Sequence, residues 1–370
     1  CKVVDFPASR KTAALADQLM AETLADPGAV EIGIDDAGRW TVALREIPHD
    51  GSESGLTLSD ESVFVVTGAA GSIVSAIVAD LAEASGGTFH LLDLAPKPDR
   101  DDPDIARFAT DRDGLKRDIF ERIKASGKRA TPAMVELELA SLERAHAALS
   151  AIRSVEAAGG SVVYHSVDLR DDDRVAEVME EILSDHDQID VLVHAAGVEI
   201  SRFLSDKTRD EFDLVFDVKC DAWHSLMRAL GDTPLKAAVV FSSVAGRFGN
   251  GGQADYSAAN DFLTKCMTGF RNSRPQTRGI AIDWTAWGEI GMASRGSVPT
   301  VMAALGIDML PPESGVPTIR RELTYGDTRG EVLVAGRLGA WTEEKDPTGG
   351  LDTEETNALL AERERPLVMI

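Results

Sequence analysis

Four side chains in the middle of this sequence have the types needed to add a hydride and a proton to a carbonyl. Lys219 offers an ammonium, Ser243 a hydroxyl and Tyr256 a phenol, and in the run YSAAND Asn260 follows the phenol by one helical turn. Hydride delivered to a ketone leaves charge on its oxygen, so the site needs a proton donor and hydrogen bonds aimed at that oxygen. Tyr256 is the expected donor. An unperturbed phenol titrates near ~10, so a neighbouring ammonium is wanted to lower it and to favour the phenolate left after transfer, and Lys219 is the candidate. Ser243 would hold the substrate oxygen, while Asn260 would anchor the lysine or a water in the proton relay. Taken singly, each has an ordinary alternative: a helix-surface charge, a turn hydroxyl, a half-buried aromatic, a polar helix position.

A hydride source must be held beside them. TGAAGSIV follows an apolar strand and opens a helix, the context in which a glycine turn presents backbone N–H groups and a helix N-terminus to a pyrophosphate. Gly68, Ala69, Gly71, Ser72 and Ile73 are therefore the expected cofactor turn, and the bulk of Val74 should push the helix slightly away from the strand. Asp93 ends the second strand, where a carboxylate hydrogen-bonds the ribose 2′-hydroxyl of NAD and repels the extra phosphate of NADP, so taken alone it argues for NADH. Lys97 and Arg100 follow on a charged loop and could instead meet a 2′-phosphate. Asp168, with Leu169 after it, is placed to bond the adenine amine, and Ala195, Ala196 and Gly197 of the HAAG run let backbone approach the cofactor. His194 reads better as a hydrogen-bonded strand histidine than as a ligand.

The elements that must position these residues alternate regularly. Apolar strands and amphipathic helices follow one another from SVFVVT to GIAIDWTAWG, which predicts a Rossmann-like, doubly wound parallel sheet with helices on both faces. Between the second and third strands, at about 110–158, the sequence predicts an inserted helical pair, its second helix opening with Thr131 as cap and Pro132 in the first turn. Before the catalytic domain, expected at 62–340, residues 1–48 read as a helix and a hairpin without a core of their own, and the polar run 49–61 as a linker. Residues 341–370 read as a second linker toward a following domain. The segment 291–313, rich in Met, Gly and Pro, reads equally as a lid or as a surface helix with core-facing methionines. Trp284 and Trp287 read equally as core aromatics or as a wall beside the nicotinamide.

Composition bounds the function. The 370 residues are 44% hydrophobic, ample for a buried core, and carry a net charge of −24, which disfavours binding to nucleic acid or to an anionic membrane. The three cysteines lack metal-ligand spacing and are odd in number, so neither a disulfide framework nor a metal site is expected and a reducing, cytoplasmic setting fits. No apolar run reaches membrane-span length, and the start CKVVDFPASRK has no initiator methionine, so the chain reads as cut from something longer.

The run FSSVAGRFGNGGQADYSAANDFL closely resembles the active-site segment of ketoreductase domains in modular polyketide and polyunsaturated fatty acid synthases, a branch of the short-chain dehydrogenase/reductase superfamily. That branch exchanges the lysine and asparagine positions, as here at Lys219 and Asn260. VFVVTGAAG, the HAAGV run, VFDVKCDAWHSL and IDWTAWGEIGM are similar to the corresponding stretches, so the resemblance covers roughly residues 62–338, and residues 1–48 resemble the closing part of the family's structural subdomain. It implies NADPH-dependent reduction of a 3-ketoacyl thioester on an acyl carrier protein to the 3-hydroxyacyl form, with neighbouring synthase domains as partners and a homodimer possible through the parent synthase. The sequence departs from the pattern at Ser72 and Val74, where the superfamily usually has glycines. Glu199, Ile200 and Ser201 replace the Leu-Asp-Asp fingerprint of hydroxyl configuration, and Phe248 replaces the alternative tryptophan. Two other readings are a free-standing reductase of a small or coenzyme-A-linked ketone and a catalytically silent scaffolding domain.

Overall fold

A computed structural model describes residues 2–25, 29–46, 55–186, 188–294, 296, 298–325 and 330–342. They fall into two compact units, one from the N-terminal segment with the 339–342 turn and one from the remainder. In the first, the helix Thr12–Ala25 accompanies a small sheet. Strands Glu31–Asp35 and Gly38–Thr41 form the expected hairpin, and Val3–Asp5, too short to show periodicity, adds a parallel strand. Glu22 is buried between Lys2 at 2.9 Å and Arg39 at 2.7 Å, and these cations hold its carboxyl down at about 2. Of the linkers read at 49–61 and 341–370, residues 49–54 and 343–370 lie outside the described residues, whereas 55–61 is no free linker: the Gly55 and Leu56 N–H groups donate to the Thr324 and Leu323 carbonyls at 2.9 and 2.7 Å, and Leu56 and Leu58 pack against the core of the second unit.

The second unit is built on seven strands: β1 (Val63–Thr67), β2 (Thr88–Asp93), β3 (Ser161–Ser166), β4 (Ile189–His194), β5 (Leu235–Ser243), β6 (Arg278–Trp284) and β7 (Gly330–Val334). All pair in parallel, in the order β3-β2-β1-β4-β5-β6-β7. Every residue of β1, β4 and β6 is buried, which explains why these strands read as continuous apolar runs rather than alternating ones. The chain order reverses between β1 and β4, opening a crevice at their carboxyl ends.

Helices cover both faces. Helix α1 (Ser72–Ser85) begins after Gly71 and stops at Gly86, whose φ of 69° suits a residue without Cβ. The insertion between β2 and β3 holds three helices rather than the expected pair: α2 (Pro103–Phe108), α3 (Arg112–Ala125) and α4 (Pro132–Ala157). The additional one starts where the Asp102 carboxylate accepts from the Asp104 N–H at 2.8 Å and Pro103 fixes the first turn. Thr131 caps α4 as predicted, accepting from the Met134 N–H at 3.3 Å. Phe108, Leu115, Ile119, Ile123, Val135 and Leu139 form a small core of the insertion's own. On the opposite face of the sheet lie α5 (Asp172–Asp185), α6 (Arg209–Leu230) and α8 (Ala254–Ser273), with the short α7 (Val244–Phe248) after β5. No described helix is long and apolar enough to cross a membrane.

One buried polar feature of this frame is absent from any local pattern. His90 on β2 is 1% exposed and touches His165 on β3, Nδ1 to Nε2 at 3.1 Å, and His186 after α5, Nε2 to Nε2 at 3.0 Å. Burial, reinforced by the two neighbouring rings, pushes His90 from 6.5 down to about 4. The unfolded chain therefore takes up a proton first, so stability is complete above 6.5 and is lost as pH falls toward about 4. His90 alone should remove about 2 kcal/mol of unfolding free energy between pH 7 and about pH 5. Urea denaturation at the two pH values checks this, with His90→Leu expected to flatten the difference.

Candidate active site

The four candidate catalytic residues come from three elements, α6, β5 and α8, around the carboxyl ends of β4 and β5. Ser243 is the last residue of β5, and its hydroxyl accepts from the Ala245 N–H at 3.1 Å, which aims the side chain over the start of α7. Lys219 lies midway along α6, 4% exposed, and its Nζ donates to the Phe241 carbonyl at 2.7 Å. Tyr256 and Asn260 share the first turns of α8, where the Asn260 amide donates to the Tyr256 carbonyl at 2.7 Å. The ammonium sits 6.0 Å from the centre of the Tyr256 ring. The structure thus brings together all four residues singled out by type and spacing.

The lysine is held in place by a hydrogen-bond chain that starts in β1. His194 is fully buried at the end of β4, and its Nε2 lies 2.8 Å from the Lys219 carbonyl. A carbonyl only accepts, so Nε2 carries the proton and Nδ1 accepts from the Thr67 hydroxyl at 2.9 Å. The Thr67 oxygen in turn accepts from the N–H groups of Ala195 and Ala196, at 3.1 and 3.2 Å. Burial lowers His194 to about 4, so the ring stays neutral and keeps this tautomer. The strand-histidine reading holds, and the ring also fixes the turn of α6 that carries Lys219. Thr67 went unnoticed in the sequence because a threonine ending a strand is common there.

The electrostatics correct one expectation. Lys219 does not pull the phenol below its ordinary value: Tyr256 is raised, first by burial and then by the Glu199 carboxylate, while hydrogen bonding from Ser243 and Asn260 acts in the opposite sense. Burial lowers Lys219 itself to about 8. The phenol is therefore protonated near neutral pH, as a donor must be, and the ammonium beside it is close to losing its proton.

The cofactor turn lies across the crevice. Gly68 has φ 67°, and a Cβ there would stand 2.8 Å from Ala196 Cα, so the turn and the HAAG run touch backbone to backbone. Gly71 precedes α1 without any side-chain cap, leaving the first amides of a 14-residue helix facing the crevice. Ala69 is buried beneath the turn, the Ser72 hydroxyl accepts from the Gly291 N–H at 3.0 Å, and the Ile73 side chain packs so close to Gly291 that a Cβ there would meet it at 2.6 Å. Val74 is buried in the core. Gly197 lies against the Lys219 side chain, where a Cβ would meet Cε at 2.8 Å. The uncapped helix start and the close-packed glycines suit a dinucleotide pyrophosphate.

Three expected ligands are engaged within the protein. One Asp93 oxygen accepts from the Ala70 N–H at 2.9 Å and the other from the Ala95 N–H at 3.0 Å, so the carboxylate braces the glycine turn rather than pointing free toward a ribose. Asp168 is paired with Arg170 at 2.6 Å, and Leu169 beside it is buried. Arg100 pairs with Glu156 of α4 at 2.5 Å, whereas Lys97 is exposed. Trp284 and Trp287 are core aromatics, 6% and 3% exposed, with ring centres 5.1 Å apart. In the 291–313 segment the helix Val298–Ala304 lies on the surface with Met302 half-buried, and Gly291 ties the segment's start to Ser72. A cavity of about 580 Å³ between α6 and α8 is lined by Trp223, Phe262, Cys266 and Phe270, among others, and by none of the four catalytic candidates.

The match that decides the family spans most of this second unit, since a family model described as the KR domain aligns with residues 62–289. The chain belongs to the KR domain family. It is 28% identical over 338 residues to a polyunsaturated fatty acid synthase polypeptide of Thraustochytrium sp. (strain ATCC 26185 / S-3), covering 89% of this chain and 12% of that protein. To polyketide synthase GfsA of Streptomyces halstedii it is 33% identical over 172 residues, which is 46% of this chain and 2% of that one. A solved ketoreductase domain from the bacillaene assembly line superposes with a TM-score of 0.68 at 21% identity, covering 92% of this chain and 71% of the other. The KR domain described here is thus an oxidoreductase of the ketoreductase kind, dependent on a nicotinamide cofactor, and it spans only a small part of its curated relatives.

Because Lys219 is held at about 8 by burial, the turnover of this KR domain should fall as pH rises through that value and the ammonium is lost. Lys219→Arg, which keeps its charge at any accessible pH, should shift the fall upward while lowering the maximum rate. A pH profile of kcat for both proteins checks the assignment.

Proposed function

We propose that this KR domain reduces a 3-ketoacyl group, carried as a thioester on an acyl carrier protein, to the 3-hydroxyacyl form with NADPH. The observation that carries the reading is the meeting of Lys219, Ser243, Tyr256 and Asn260 opposite a glycine turn at the strand crossover. A nicotinamide cofactor held by the glycine turn would supply the hydride. Ser243 orients the keto oxygen through a hydrogen bond. As charge grows on that oxygen, the Tyr256 O–H donates its proton to it, leaving a phenolate that the Lys219 ammonium stabilises. Asn260, one turn below the phenol and with its own Oδ1 lacking a protein partner, is placed to bind a water that reloads it.

Gly68, Gly71, Ser72 and Ile73 would hold the pyrophosphate, with Ala195, Ala196 and Gly197 lining the nicotinamide side. NADPH is favoured over NADH because the Asp93 carboxylate is turned onto the Ala70 and Ala95 amides, while Lys97 stays exposed nearby for a 2′-phosphate. Residues 1–48 would close a structural subdomain, and the natural partners would be the carrier protein and neighbouring domains of the parent synthase, with a second copy brought in by that synthase.

Tyr256→Phe should lower turnover of a 3-ketoacyl thioester by about 10²-fold or more while leaving nucleotide affinity within about twofold; equal loss of both would make the phenol's role structural. Asp93→Ala should weaken NADPH and NADH alike, by about tenfold, since it removes a brace of the turn. Fluorescence titration with each nucleotide checks this, and selective loss of NADH would return the carboxylate to the ribose. If neither nucleotide binds the unaltered protein, the reductase reading is abandoned.

A further inference from the structure

The loop that leaves β4 toward α6 carries a buried ion pair that the reduction chemistry does not use. Lys207 Nζ lies 2.6 Å from Asp255 Oδ2, and the two side chains are 1% and 0% exposed. The same ammonium donates to the Ile200 carbonyl, closing the loop on itself. Asp255 directly precedes Tyr256 in the first turn of α8, and its Oδ1 has no protein partner although fully buried.

Burying such a pair is costly: isosteric apolar pairs are commonly as stable or more so, and an unpartnered carboxylate oxygen adds to the cost. Stability is therefore a poor reason for its presence, and placement of the loop is a better one. Two further links run the same way: the Arg202 N–H donates to the Gly252 carbonyl at 2.8 Å, and the Gln253 amide donates to the Ser201 hydroxyl at 3.3 Å. Both are exposed bonds that water can replace, whereas the ion pair is not. Within the loop so held, Gly197 abuts Lys219, and Glu199, fixed by the Ser201 hydroxyl, acts on the Tyr256 phenol.

We propose that the Lys207–Asp255 pair is a positioning latch for the reductase site, clamping the 198–206 loop against the first turn of the helix that presents Tyr256. The role rests on the reduction proposed above. Lys207 and Asp255 are positioning residues that act through Glu199, Gly197 and the orientation of Tyr256. With the latch cut, the loop would move away from the phenol, and misplacement by about 1 Å at a reacting centre costs up to about 10²-fold in rate.

The test compares the wild-type chain with the charge-neutral double variant Lys207→Met/Asp255→Leu, with Asp255→Asn as a variant of unchanged volume, and with Lys207→Arg. The expected result for both latch-cut proteins is a kcat for a 3-ketoacyl thioester about tenfold lower. The double variant should keep a melting temperature equal to or above wild type, and amide exchange by mass spectrometry should rise in 198–206 but not in β4 or α6. Lys207→Arg should restore most of kcat. A kcat within about twofold of wild type in the double variant, or a loss that tracks its folded fraction, overturns the latch. If the wild-type protein reduces no ketoacyl thioester, the proposed function fails by itself, and loop exchange then decides the latch: a rise in 198–206 sustains it, an unchanged rate removes it.

Discussion

Where β1 and β4 end side by side, their loops must pass each other with almost no space between them. A Cβ at Gly68 would fall 2.8 Å from the backbone of Ala196, and beside this contact the Thr67 hydroxyl accepts from the amides of Ala195 and Ala196 and donates a hydrogen bond to His194 Nδ1. That chain continues to the Lys219 carbonyl. One crowded crossing therefore sets both halves of the candidate site, the turn proposed to cradle a dinucleotide and the helix turn that aims the ammonium. A side chain at Gly68 would therefore disturb the glycine turn and the 195–197 backbone together.

The electrostatic character of the site follows from dryness more than from pairing. Lys219 and Tyr256 are both displaced toward their neutral forms by burial, the lysine downward to about 8 and the phenol upward. Neither has a counterion as its largest influence, so water entering with a substrate, or a cofactor's own charge, would change them more than any substitution of a distant residue.

Much of this was legible in the sequence, because it was written in local patterns. The continuous apolar runs at β1, β4 and β6 announced a doubly covered parallel sheet, and the reactive types at Lys219, Ser243, Tyr256 and Asn260 were visible from order and spacing. What escaped shares a cause: it depends on side chains that meet only after the sheet has assembled. His90, His165 and His186 lie on separate elements and touch through strand order. Thr67 and Lys207 look like ordinary strand-end and loop residues until their buried partners are known. Asp93 was correctly placed at a strand end, yet a carboxylate there can face a ribose or the turn's own amides, and sequence does not choose between them. The third insertion helix was missed because six residues carry too little periodicity.

The inserted helix α4 belongs to two cores. Val135 and Leu139 near its start pack within the insertion's satellite cluster, while Ala148, Ile152 and Val155 near its end are part of the main core under α1. At 26 residues it is about 39 Å long, a beam held at both ends, so a displacement of the satellite cluster would be carried along it to the packing under α1.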